Sequence, residues 1–333
     1  MTPFLTTDDM HTGGEPVRIV TAGWPEVEGT TILEKRAFAR ANHDRLRKIL
    51  MYEPRGHYDM YGALLVEPAL PGADLAVLFM HNEGWSTMCG HATIALGRYA
   101  VEKGLVTVTE PVTRFGLECP CGLVRVAVEV ADGKPGRVSF ESVAAFASAL
   151  DLTVEVPGHG SVVCDVAYGG AFYAIADAAQ FGLTFRESRV RDFVDAATAL
   201  SDAVRAAHNL THPVSAELAF LYGSILTDGG DGKNKPTKNV CIFADAEVDR
   251  SPTGSGVTAR LAAMHARGNA SIGEPRVFES VTGARFGGRI ASELVYRGIR
   301  VVKVNVTGRA WWSGQSRFIV EDDDPLKSGF LLR

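Results

Sequence analysis

The stretch "DRSPTGSGVTARLAAMHARG", Asp249 to Gly268, is a helix pattern with a polar, glycine-rich start. A second stretch, "MCGHATIALGRYAVEKG", Met88 to Gly104, has the same layout. Each places a small reactive residue before Gly, continues into an amphipathic run and closes on a basic residue followed by Gly. Gly90 matches Gly254, Ala95 matches Ala259, Lys103 matches Arg267 and Gly104 matches Gly268. Cys89 falls where Thr253 falls, so one helix start carries a thiol and its counterpart a hydroxyl.

Around each helix lies a set of short β-type runs joined by turn residues. "VRIVTAG", "GALLVEP", "ADLAVLFMH", "GLVRVAVEVADGK" and "GRVSFESV" form the first set. "GSVVCDVAYGGAFYAIAD", "LAFLYGSILTD", "NVCIFAD", "GGRIASELVY" and "IRVVKVNVTG" form the second. This pattern is a duplication. Residues 1–150, completed by 315–333, make one half and residues 155–314 the other. The helix interiors "ATIALGRYAV" and "VTARLAAMHA" are small and apolar, as suits a helix enclosed by a curved sheet. The stretch from Glu141 to Gly160 reads as a connector. Helical spacing predicts a further helix within residues 188–210, packed outside the second set. Thr227 to Asn239 is a polar loop.

The chain has 333 residues, beyond what one core usually organises, and 46% of them are apolar and 22% charged. A net charge of −5 and a pI near 6.0 offer no basic field to draw in nucleic acid or an anionic membrane, so a small molecule is the expected partner. The N-terminal "MTPFLTTDDMHTGGEP" lacks the pattern of a signal peptide, and no apolar run reaches membrane-spanning length. Five sparse cysteines, at 89, 119, 121, 164 and 241, fit reduced thiols in the cytoplasm. A homodimer is compatible with this chain, which does not itself fix an oligomeric state.

A helix start presents unpaired backbone N–H groups and about half a positive charge, so it attracts anions and favours a thiolate. Two such starts converging would form a carboxylate cradle. Gly90 and Gly254 leave the backbone bare for a ligand oxygen. Cys89, as thiolate, is then a base or nucleophile.

The motifs "MCGHATIALG" and "DRSPTGSG", together with "HTGGEP" (His11 to Pro16) and "EPRGHYDMYGALL" (Glu53 to Leu65), resemble the signatures of the proline racemase family. The resemblance spans most of the chain. It implies a cofactor-independent α/β (α+β) fold of the diaminopimelate epimerase type. In that fold two pseudo-symmetric domains each wrap a curved sheet around a central helix, with the active site in the interdomain cleft. In the family's racemases and epimerases two cysteines face opposite sides of the substrate α-carbon. Carried over by position, Cys89 is the first of them. Gly90 and His91 contact substrate, Asp249 lies near the substrate amine, and Gly254 and Ser255 supply carboxylate contacts. Thr253 stands where the second cysteine belongs.

An aliphatic hydroxyl is about 7 pKa units weaker an acid than a thiol, roughly 10 kcal/mol more to ionise. A helix end supplies at most about 2 kcal/mol of that. Thr253 is therefore no base at neutral pH, and inversion should fail. If the substrate carries a β-hydroxyl, its loss as water gives the carbanion another exit. The expected reaction is dehydration of trans-3-hydroxy-L-proline to pyrroline-2-carboxylate, started by Cys89. The Cys/Thr pair resembles that of the family's trans-3-hydroxy-L-proline dehydratases. His91, Asp249 and Thr253 all remain candidates for the acid that assists the leaving hydroxyl.

Other motifs are weaker. "GGDGKNKP" lacks the Ser or Thr and the following helix of a phosphate loop. "HNLTHP", His208 to Pro213, lacks the glutamate of a zinc helix, so no metal site is expected. "CPC", Cys119 to Cys121, has no metal-knuckle spacing and reads as a strand pair. His11, Glu15, His57 and Asp59 receive no chemical role. Two rival functions stay open, an epimerase or racemase of proline or 4-hydroxyproline and a non-catalytic amino-acid binder.

Overall fold

The computed structural model describes residues 5–332. Residues 1–4 and 333, which the sequence assigns to the first half, lie outside the described residues. In chain order the elements are β1 (Leu5–Thr12), β2 (Glu15–Ala22), α1 (Ile32–Asn42), α2 (Asp44–Met51), β3 (Gly62–Val66), β4 (Leu75–Met80), β5 (Trp85–Ser86) and α3 (Gly90–Glu102). There follow β6 (Val112–Cys119), β7 (Gly122–Ala131), β8 (Lys134–Glu141), β9 (Phe146–Val156), β10 (Gly160–Tyr168), β11 (Phe172–Asp177), α4 (Val190–Ala207) and β12 (Leu221–Thr227). The chain ends through β13 (Thr237–Phe243), β14 (Glu247–Asp249), α5 (Gly254–Ala266), β15 (Arg276–Glu279), β16 (Arg285–Tyr296), β17 (Ile299–Gly308) and β18 (Ala310–Phe318). Contacts divide it into two compact units. One comprises residues up to Val138 together with those from Arg309 on, the other Ser139–Gly308.

Both units follow one plan. In the first, β2 and β3 are parallel and joined through α1 and α2, β4 returns antiparallel to β3, and short β5 folds back on β4. Helix α3 then crosses over to β6, parallel to β4, and β7 pairs antiparallel to β6. The second unit repeats the sequence of moves. β11 and β12 are parallel and joined through α4, β13 returns, and β14 folds back on it. Helix α5 crosses to β15, parallel to β13, and β16 completes the hairpin.

The crossover helices are the cores. Every residue of α3 from Gly90 to Gly97 is buried, with β1, β2, β7 and β18 around it. Every residue of α5 from Gly254 to Ala263 is buried, with β9, β10, β11, β16 and β17 around it. Such close enclosure needs small residues where backbones approach. A Cβ at Gly169, after β10, would lie 2.1 Å from the Ser255 carbonyl oxygen and 2.6 Å from the Ala259 nitrogen of α5. Gly169→Ala should therefore destabilise the protein by about 1–3 kcal/mol, because a backbone atom cannot swing aside as a side chain does. Denaturant unfolding checks this, and an unchanged midpoint would show that α5 is not packed so tightly.

Two sequence expectations change. The supposed connector 141–160 holds β9, paired antiparallel with β10. Residues 150–156 alternate as a strand does, but residues 146–150 do not, and the ladder to β10 shifts register between Ala149 and Leu152, beside Asp151 at φ 55. Helices α1 and α2 were not foreseen. The signal for α1 is a capping box in which Thr31 Oγ1 accepts from the Glu34 N–H and Glu34 Oε2 from the Thr31 N–H. The further helix forms as α4, burying Phe193, Val194, Ala197, Leu200 and Val204. No helix among the described residues is long and apolar enough to cross a membrane.

Candidate active site

In the first unit the chain leaves β5, and Cys89 becomes the N-cap of α3 with extended backbone. Its Sγ accepts a hydrogen bond from the Ala92 N–H at 3.3 Å, while its carbonyl accepts from the Thr93 N–H and hydroxyl. A sulfur fixed at the positive end of a helix, facing an N–H donor, is favoured as thiolate. His91 completes the pair, with Nδ1 3.2 Å and Nε2 3.5 Å from Cys89 Sγ. Both residues are buried, at 4% and 2% exposure.

Besides Cys89, two residues hold His91. The Thr12 hydroxyl donates to its carbonyl at 2.9 Å, tying the β1–β2 hairpin to the start of α3. Tyr61 meets its ring edge-on, with centroids 4.8 Å apart, and is anchored by a 2.5 Å hydrogen bond between its hydroxyl and Ser86 Oγ. Behind Tyr61 stacks His81, whose Nδ1 accepts from the Glu83 N–H. Burial, then the charges of Arg47 and Arg36, push His81 down to about 3. Neutral His81 thus contributes stability that is whole above pH 6.5 and drains away as pH falls toward 3. For this residue alone the slope is about 1.4 kcal/mol per pH unit in that window. Urea unfolding at pH 7, 6 and 5 measures it, and a flat response would contradict it.

In the second unit the corresponding start is built differently. Asp249 ends β14, 3% exposed, and its Oδ1 accepts from the Ser251 N–H at 2.7 Å. Ser251 Oγ accepts in turn from the Thr253 N–H at 3.1 Å. Asn239 donates to the Pro252 carbonyl and accepts from Arg260, a buried guanidinium on α5 that also binds the Gly230 carbonyl and Thr237 Oγ1. This framework also fastens the 228–236 loop, and it holds Thr253 at φ 61, ψ 90, a conformation β-branched residues avoid.

The strain at Thr253 has a chemical result. Thr253 is the N-cap residue of α5, but unlike that of Cys89 its side chain makes no capping hydrogen bond. Its Oγ1 is buried and has no hydrogen-bond partner among the described residues. A buried, unpaired hydroxyl costs about 1–3 kcal/mol. Backbone strain and buried unpaired polar groups recur together at functional sites, which makes Thr253 a candidate. The next residues, Gly254, Ser255 and Gly256, begin α5, and Ser255 Oγ shares a 2.7 Å hydrogen bond with the Tyr173 hydroxyl. Tyr61, Tyr173, Asn239 and Arg260 were not singled out from sequence. Only Arg260 left a trace, as a lone charge in a small apolar helix.

Of the other residues considered, four histidines have described contacts within the fold. His11 stacks on Trp311 and accepts from the Gly14 N–H, within a two-residue turn where Gly13 and Gly14 both have positive φ. His57 lies in a turn closed by the Met60 N–H. His208 caps the C-terminus of α4, and His212 packs among Phe146, Tyr168 and Phe172. Cys119 and Cys121 do not share a strand: Cys119 ends β6 and pairs with Gly122, and Cys121 lies in the turn between them. Among the described residues no group of three or more His, Cys, Asp or Glu side chains could hold a metal ion.

A family model described as proline racemase matches residues 8–331. The chain belongs to the proline racemase family. Within the proline racemase family it is 54% identical to a trans-L-3-hydroxyproline dehydratase of Xenopus tropicalis, over 99% of this chain and 96% of that one. It is 53% identical to a trans-3-hydroxy-L-proline dehydratase of Homo sapiens, over 100% and 96%. A solved hydroxyproline epimerase from Agrobacterium vitis, with trans-4-hydroxy-L-proline bound, superposes with a TM-score of 0.92 at 28% identity, over 99% and 96%. The fold is accordingly the two-unit α+β fold of this family.

Proposed function

We propose that this chain dehydrates trans-3-hydroxy-L-proline to pyrroline-2-carboxylate, with Cys89 as the base and Thr253 as the hydrogen-bonding partner of the leaving hydroxyl. The observation that carries this reading is the contrast between the two helix starts. One holds a thiol against an N–H donor and an imidazole, and the other a buried hydroxyl with no partner among the described residues. The dehydratase relatives support the substrate.

Cys89 thiolate takes the proton from C2 of the ring, and the electron pair forms the C2=C3 bond as the C3–O bond breaks. The departing hydroxide and one proton leave as water. The resulting enamine shifts its proton to carbon and becomes the cyclic imine. His91, in contact with the sulfur, shares the thiol proton. Asp249 holds the ring nitrogen as ammonium, and the first-turn N–H groups of Gly90, His91, Gly254 and Ser255 receive the carboxylate. A small imino acid is the only partner this requires. The five free cysteines and the net charge of −5 fit a cytoplasmic protein that uses neither nucleic acid nor membrane.

The decisive experiment is incubation with trans-3-hydroxy-L-proline and detection of the imine. No imine, together with α-deuteration and inversion of L-proline in heavy water, would replace dehydration by racemisation. Thr253→Cys tests the same distinction from the other side. With a second ionisable sulfur, the variant should incorporate solvent deuterium with inversion into L-proline or 4-hydroxyproline, a reaction undetectable in the parent. If Thr253→Cys shows no inversion, the missing thiol is not what separates the two reactions.

A further inference from the structure

The "CPC" motif has no part in dehydration, yet the fold brings it to the catalytic thiol's own segment. Cys119 ends β6, Pro120 and Cys121 form the turn, and Gly122 begins β7. The turn docks by one backbone hydrogen bond, from the Cys121 N–H to the carbonyl of Thr87 at 3.0 Å, two residues before Cys89. Three thiols therefore gather at the start of α3. Cys119 is fully buried, and burial, followed by the neighbouring Cys121 and Cys89, raises it well above the ordinary thiol range. It stays protonated and makes a poor nucleophile. Cys121 is half-buried, its thiol hydrogen-bonded to Cys119 and its N–H to Thr87. Releasing both lets Cys121 seek the Cα separation of roughly 4.4–6.8 Å that a disulfide needs.

We propose that Cys121 is a resolving thiol for Cys89, making this corner a reversible oxidation site for hydrogen peroxide or another hydroperoxide. Cys89 thiolate attacks the peroxide, the O–O bond breaks, and the sulfur becomes a sulfenic acid as hydroxide leaves. The Cys121 thiol then attacks that sulfur, forming the Cys89–Cys121 disulfide and releasing water. A dithiol reductant returns both thiols. Without Cys121 the sulfenic acid proceeds to the irreversible sulfinic acid. The protective value of this step rests on Cys89 being the base, whereas the thiol chemistry does not.

The test treats the protein and its Cys121→Ser variant with hydrogen peroxide, blocks free thiols and maps the cysteine peptides by mass spectrometry. In the parent, two free thiols should be lost and one cross-linked peptide pair, Cys89 with Cys121, should appear and vanish with dithiothreitol. In Cys121→Ser that pair should be absent and Cys89 should carry two added oxygens. Dehydratase activity before peroxide should be the same in both, and after peroxide and reductant only the parent should recover it. A parent whose Cys89 is overoxidised as in the variant, is untouched, or is cross-linked to Cys119 instead would overturn the proposal. Because peptide masses are read independently of turnover, its failure is distinguishable from an error in the assignment of the base.

Discussion

Cys89→Ser should abolish imine formation from trans-3-hydroxy-L-proline while leaving the protein folded. Serine preserves the local structure, since its hydroxyl can accept the Ala92 N–H that Cys89 Sγ accepts, and serine is a favoured N-cap. What it loses is the anion. Forming an alkoxide costs roughly 10 kcal/mol more than forming a thiolate, and the helix end recovers at most about 2 kcal/mol. Loss of a positioned base lowers turnover by about 10²–10⁴-fold, and the upper end is expected because no second thiol is available from Thr253. The measurements are kcat for imine release and the denaturant midpoint. A variant within about threefold of the parent would remove Cys89 from the role of base.

Thr253→Val should move stability and activity in opposite directions. Valine keeps the shape and the β-branch, so the strained backbone at φ 61 is unchanged, but the buried hydroxyl without a partner among the described residues is gone. Removing it should raise stability by about 1 kcal/mol. Dehydration should fall by about 10²-fold, chiefly in kcat, because the leaving hydroxyl loses its hydrogen-bonding partner. Thr253→Ser, which retains the hydroxyl, should keep most of the activity. Full activity in Thr253→Val would show that this hydroxyl does not touch the reaction. A stability loss larger than about 1 kcal/mol would show that the hydroxyl is satisfied in the folded protein.

Much of the candidate site was readable because it is local. A helix start is defined by four or five consecutive residues, so "TMCGH" and "SPTGSG" disclose a thiol and a hydroxyl at equivalent positions without knowledge of any distant contact. The duplication was readable for the same reason, since matched glycines survive as a pattern along the chain. Tyr61, Tyr173, Asn239 and Arg260 were not readable. Each acts by reaching another element, such as Tyr61 to His91 or Arg260 to the residues that support Pro252. β9 was missed because only its second part, residues 150–156, alternates; residues 146–150 do not, and a register shift beside Asp151 separates the two.

The sequence by itself determined that the second helix start carries a group that cannot ionise at neutral pH, because acidity is a property of the side chain and no local field offsets the difference. It did not determine what that group does instead. Read as a chain of residues, Thr253 is an ordinary helix cap, a role in which its hydroxyl would be consumed by the backbone. The tertiary structure decided otherwise. Hydrogen bonds from Asp249 through Ser251, and from Arg260 through Asn239 to Pro252, impose a backbone angle that turns the hydroxyl away from its own helix and leaves it buried and uncommitted. Such a conformation depends on contacts from separate strands and a buried arginine, and no spacing along the chain records it.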